Sequence, residues 1–260
     1  MPSFKDHPVS SVTRMLLVGD PGAGKTASLA TLANAGYNLR ILDFDNGLDI
    51  LSHYLEADAM DRVHYATLRD NLTNATAFHK ALRLLSHWKN DTEDFGKIKD
   101  WTEKDVLVID SMTFMSAAAM HQALAFNGKK LTEQPSMPEW GEARRNVEYV
   151  LDYLTGEEVK CNVVCTAHIL YTSDDNAGKG LPFTLTKNLS SNVGRYFNTV
   201  ARLDVKPGKD GKRVIRTTSD FRMDLKSPAP DALASEVEPD LAKLFEVIQA
   251  SAKSKQGGAK

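Results

Sequence analysis

One octapeptide constrains this chain more than any other feature. Gly19-Asp20-Pro21-Gly22-Ala23-Gly24-Lys25-Thr26 carries the Gly-x-x-x-x-Gly-Lys-Thr pattern of a Walker A phosphate loop. It follows a strand-sized apolar run, Met15-Leu16-Leu17-Val18, and opens an Ala/Leu-rich helical stretch, Lys25–Ala35. Phosphate oxygens need many close donors. Glycines let backbone N–H groups point into one concavity, and a helix N-terminus adds its positive end. Lys25 can reach the β- and γ-phosphates, and the Thr26 hydroxyl can ligate Mg²⁺. The expected ligands are therefore ATP and Mg²⁺.

The acid that such a site requires lies further along. Val106-Leu107-Val108-Ile109-Asp110-Ser111 reads as a Walker B strand, a buried apolar run with Asp110 at its carboxyl end, where it can hold the Mg²⁺ water shell. Two more runs, Leu39–Phe44 and Asn162–Ala167, read as buried strands. Helical patterns cover Leu68–Lys89, with Phe78, Leu82 and Leu85 on one stripe, and also Met112–Phe126 and Glu139–Leu154. Asp91–Lys104 and Gly128–Pro138 read as loops. Short apolar strands alternating with helices predict an α/β fold with a mostly parallel central sheet.

The pattern then changes. Tyr171–Asn192 is polar and without clear periodicity. Thr199–Lys206 and Lys212–Thr218 read as a β-hairpin turned by Pro207–Gly211, and Pro239–Ala252 as a last short helix. No clean linker appears, so a single domain over 1–250 is expected, followed by a disordered basic tail over 251–260.

Composition sets limits on function. Lys plus Arg is 32 and Asp plus Glu is 34, a net charge of −2, so any nucleic-acid contact must come from a local patch. The two cysteines, Cys161 and Cys165, exclude a disulfide scaffold and read as core thiols of an intracellular protein. Met1–Arg14 lacks the apolar core of a signal peptide, and no run approaches a membrane span of about 20 residues.

Ile41-Leu42-Asp43-Phe44-Asp45-Asn46-Gly47-Leu48-Asp49 brings in a more specific likeness. It resembles the segment of RecA-like ATPases in which the strand after the P-loop helix ends in Asp-x-Glu. That Glu orients the attacking water, and its counterpart here is Asp45, with Asp43 and Asp49 competing for the role. Val106–Ser111 resembles the Walker B of that family. Asn162-Val163-Val164-Cys165-Thr166-Ala167-His168 is similar to its next strand, whose terminal Gln senses the γ-phosphate; here the position is His168. Together with Pro138-Glu139-Trp140-Gly141, the chain resembles, over roughly residues 12–250, the compact RecA-core single-strand annealing and recombination proteins of bacteriophages. Asp45 departs from the pattern by being one carbon shorter than Glu, which implies slow hydrolysis.

The resemblance implies a RecA-like P-loop core with a C-terminal hairpin and short helix. It implies single-stranded DNA binding by the loop after His168, with Lys179, Lys187 and Arg195 as the cations. It implies self-association into a ring or filament, in which Arg222 and Lys226 reach a neighbour's γ-phosphate. A single-strand DNA-binding protein is a further implied partner, and the host cytoplasm the implied compartment. Arg195–Lys226 holds nine Lys and Arg residues against four Asp, so Arg213 and Arg216 could instead follow a DNA backbone. Two alternatives remain. A P-loop kinase would need an Arg-dense lid, and Tyr171–Asn192 has no Arg. An AAA-type switch or loader would need a substantial helical lid after the core.

Overall fold

A computed structural model describes residues 12–71, 73–171, 179–208 and 211–257. Its centre is an eight-stranded sheet of β1 (Arg14–Gly19), β2 (Asn38–Asp43), β3 (Val63–Thr67), β4 (Asp105–Asp110), β5 (Asn162–Ala167), β8 (Thr199–Val205), β9 (Arg213–Arg216) and β10 (Glu236–Val237). The spatial order is β10-β9-β8-β1-β5-β4-β2-β3. From β8 to β3 all pairings are parallel, and β9 and β10 add antiparallel at one edge. The expected fold class, a mostly parallel central sheet flanked by helices, is the one observed. The strand carrying Cys165 lies between the P-loop strand and the Asp110 strand.

Strand alternation divides the core in two. Leu16, Val18, Leu107, Ile109, Val163 and Cys165 face one side, under α3 (Ala77–Ser86), α4 (Met112–Phe126) and α5 (Met137–Thr155). Met15, Leu17, Val106, Val108, Val164 and Ala201 face the other, under α1 (Lys25–Ser28), α2 (Ala30–Asn34) and α7 (Leu241–Gly257). Because both faces are covered, these strands read as unbroken apolar runs. Helix α4 is apolar all round because it lies between the sheet and α5. Trp140 packs against this core, and both cysteines are buried and free.

Several expectations need correction. The helix expected over Leu68–Lys89 is only Ala77–Ser86, because Leu68 and Trp88 are buried from flanking irregular segments. Strand β3, to which the sequence pattern assigns no element, is a half-exposed edge strand with His64 and Tyr65 on it. The polar stretch after His168 contains a short hairpin, β6 (Ile169–Tyr171) with β7 (Gly180–Pro182), and α6 (Lys187–Asn192). Helix α7 continues to Gly257, so the first part of the expected tail is helical. It packs on α2, and no helical lid stands over the core among the described residues.

The amino end of the sheet is fastened by Asn162, which is fully buried. Its Oδ1 accepts from the Thr13 N–H at 2.7 Å, and its Nδ2 donates to the Glu103 carbonyl at 2.7 Å. Asn162→Ala removes both of these bonds, the one to the Thr13 N–H in the buried sheet end, and should cost about 2–4 kcal/mol. The check is the urea midpoint at unchanged m-value; a loss under about 0.5 kcal/mol would show that Asn162 is dispensable.

Candidate active site

The parallel strands bring their carboxyl ends together. Gly19 ends β1 with its Cα so close to β8 that an added Cβ would lie 2.8 Å from the Leu203 carbonyl oxygen. The loop then turns through left-handed glycines, Gly22 at φ 76° and Gly24 at φ 104°, into α1. Lys25 folds back over the loop, its Nζ donating to the carbonyls of Gly19 at 2.8 Å and Asp20 at 3.1 Å. Burial lowers its pKa, and the charges of Asp110, Asp45 and Asp20 offset part of that shift.

Asp110 ends β4, opposite Asp43 in the register, and is 1% exposed. Burial raises its pKa against hydrogen bonds from Thr166 and Thr26. The Thr26 hydroxyl donates to Oδ2 at 2.7 Å, and the Thr166 hydroxyl donates to Oδ1. An alcohol beside a carboxylate is the oxygen pair a small hard cation takes in phosphate sites. The Asp110–Ser111 peptide bond is cis.

The three acids at and beyond the end of β2 have separate positions. Asp43 is buried and occupied by its own turn: Oδ1 accepts from the Asn46 N–H at 2.7 Å and Oδ2 from the Thr67 hydroxyl at 3.2 Å. Asp49 is exposed on the first turn of a 3₁₀ helix, Leu48–His53. Asp45 alone of the three lines the cleft beside the loop. Its Oδ1 accepts from the Ser111 N–H at 2.9 Å and hydroxyl at 2.7 Å, and its Oδ2 lies 3.3 Å from His168 Nε2. Burial alone would raise the Asp45 pKa; the bonds from His168 and Ser111 outweigh it and hold the carboxyl below its usual range.

His168 stands between Asp45 and the loop, with Nδ1 3.4 Å from Lys25 Nζ. A protonated Lys25 makes Nδ1 the acceptor, which leaves Nε2–H to donate to Asp45. Two contacts went unread in the sequence. The Tyr171 hydroxyl donates to the carboxylate of Asp20, at 2.9 Å to Oδ2. Arg213 donates from Nε to the Ala23 carbonyl at 3.0 Å. Both join residues far apart in the chain, so no local pattern could signal them. Thr166 could have been suspected, as a polar residue inside a buried strand.

A cleft of about 860 Å³ runs over this assembly, from Asp45 and His168 past Lys25 and Thr26 to Tyr54 and Arg213. A second cavity of about 630 Å³, at the sheet edge between Thr67 and Arg83, shares none of its residues.

A family described as an AAA domain matches residues 11–228. The chain belongs to that family. It is a P-loop ATPase. No curated protein matches. Among solved structures, the chain is similar to the RadB recombinase, at 16% identity over 80% of each chain and a TM-score of 0.43. It is also similar to an ATPase from the type III secretion system of pathogenic bacteria, at 16% identity and a TM-score of 0.46. That match covers 74% of this chain and 52% of the other.

The remaining expected site residues are scattered. Lys179 pairs with Asp224 at 2.6 Å beside β7. Lys187 begins α6, and Arg195 lies over the Tyr196 ring at 5.0 Å, just before β8. Lys226 bridges Val200, two positions beyond the last β8–β9 pair and away from the phosphate loop. Arg222 lies beside β7, its carbonyl accepting from Gly180. Neither Arg222 nor Lys226 lines the cleft of its own chain. The basic hairpin is engaged within its own chain. Arg202 and Arg216 each meet Asp204 at 2.6 Å, Arg216 also meets Glu236, and Arg213 meets the loop.

In a folded Lys25→Ala protein, ATP affinity should fall steeply and turnover should vanish. Asp45→Asn should keep ATP and lose turnover by about 100-fold or more, while Asp43→Asn should act mainly on stability. Equilibrium nucleotide titration beside single-turnover hydrolysis separates these. Full turnover in Asp45→Asn with loss in Asp43→Asn would reverse the assignment.

Proposed function

We propose that this ATPase requires Mg²⁺ and acts on single-stranded DNA in recombination or strand annealing, as an oligomer of the kind bacteriophages encode. One observation carries the reading. The segment after β5 is tied to the phosphate loop twice, through His168 to Lys25 and through Tyr171 to Asp20. It is held a third time on the far side, where the His168 N–H donates to the Thr113 hydroxyl and that hydroxyl donates to the Phe183 carbonyl. A change at the phosphates therefore has a short path into the β6–β7 hairpin.

Thr26 and Asp110 would hold the Mg²⁺, which supplies charge neutralisation at the phosphates. Asp45 would hold the hydrolytic water through Oδ2, the oxygen with the longer protein contact. His168 fixes the Asp45 carboxylate and feels the same ammonium that meets the terminal phosphate. A ligand shifts the hairpin only by its differential affinity for two hairpin states, and these two ties supply that difference. The dispersed cations, Lys179 and Lys187 among them, support weak electrostatic contact rather than a deep basic groove.

Binding of a single-stranded oligonucleotide should be tighter with a non-hydrolysable ATP analogue than with ADP or no nucleotide. The salt dependence should be shallow, about 0.7 on a log–log plot for each phosphate neutralised. His168→Ala should reduce the ATP-linked gain more than it reduces ATP affinity. Equal DNA affinity in all three nucleotide states would remove the coupling. No binding at low salt would favour an ATPase switch acting on another protein. A monomeric scattering mass with ATP, Mg²⁺ and DNA would remove the assembly.

A further inference from the structure

We infer that Arg213 is a positioning residue for the phosphate loop of its own chain: it fixes the Ala23–Gly24 peptide so that the Gly24 N–H faces the phosphates. The inference rests on the nucleotide site alone and not on DNA binding.

In a loop that wraps an anion, amides point inward and carbonyls point outward. The outward carbonyls need donors of their own. Within the loop, the Asp20 carbonyl accepts from the Ala23 N–H at 3.1 Å, and the carbonyls of Gly19 and Asp20 accept from Lys25. The Ala23 carbonyl takes Arg213 Nε, at 3.0 Å, from the first residue of β9. A peptide unit is planar and trans, so its C=O and N–H point in opposite directions. Holding the Ala23 oxygen against Arg213 therefore turns the Gly24 N–H the other way.

The contact is close. A Cβ added to Gly24 would lie 3.1 Å from Arg213 Cδ and Nε. Gly24 is thus glycine for two reasons, its φ of 104° and the arginine stem against it. The hairpin that delivers Arg213 is anchored by Arg216, held by Asp204 and Glu236. The loop is in this way supported from outside the Walker motif, by a residue 190 positions along the chain.

Three substitutions separate pinning from simple charge. Gln places its amide nitrogen the same number of bonds from Cα as the arginine Nε, so Arg213→Gln keeps the donor and loses the charge. Arg213→Lys keeps the charge and loses that donor. Calorimetric titration of the full chain with ADP and Mg²⁺ reads the result, with circular dichroism confirming the fold. Arg213→Ala should weaken ADP about tenfold, the scale of one charge-assisted hydrogen bond. Arg213→Gln should restore affinity to within about threefold, and Arg213→Lys should not. Affinity within twofold of the parent in Arg213→Ala would overturn the inference. So would rescue by Lys and not by Gln, which would make the residue a charge for the phosphates rather than a pin for the loop.

Discussion

A carboxylate sealed beneath the ends of the central strands is the constraint on which the site depends. Asp110 is 1% exposed. An ion in such a place costs several kcal/mol unless hydrogen bonds and opposite charge surround it. Two hydroxyls donate to it, Thr26 from the phosphate loop and Thr166 from the neighbouring strand. Neither can reach it unless β1, β5 and β4 lie side by side in one register, with Leu16 opposite Cys165 and Cys165 opposite Ile109. The sheet order and the chemistry of the site are thus one requirement. Burial raises Asp110 and lowers Lys25, so both charged groups sit where new opposite charge is most strongly felt.

Around that carboxylate the other polar groups divide the work. Asp43 closes its own turn and leaves Asp45 for the cleft. Ser111 fixes one oxygen of Asp45 and His168 the other. His168 thereby joins the acid expected to hold water to the lysine expected to hold phosphate. Tyr171 and Thr113 carry the connection outward into the hairpin after β5. Arg213 braces the loop from the opposite edge of the sheet.

The phosphate loop and Asp110 were legible in the sequence because their chemistry tolerates little variation in residue type and spacing. The central strands were legible because burial on both faces leaves an unbroken apolar run. Strand parity could not separate Asp43 from Asp45, two positions apart; in the structure the Asn46 amide occupies Asp43, and Asp45, beyond the end of β2, lines the cleft. Strand β3 escaped because an edge strand has only one paired side and carries half-exposed residues. The hairpin after His168 escaped because its strands have three residues each, too few for a period to show. The internal ion pairs of the basic hairpin were not legible because charge in a sequence does not say which acids it will meet; Asp204 and Glu236 neutralise much of it.

The central claim is that His168 transmits the state of the phosphate site to the hairpin. Amide hydrogen exchange at Phe183 reads this directly, because its N–H donates to the His168 carbonyl at 2.8 Å. With Mg²⁺ present, the parent protein should show different protection at Phe183 with a non-hydrolysable ATP analogue and with ADP. His168→Ala should bind both nucleotides and lose that difference. Identical protection in the two nucleotide states of the parent protein, or an undiminished difference in His168→Ala, would contradict the account.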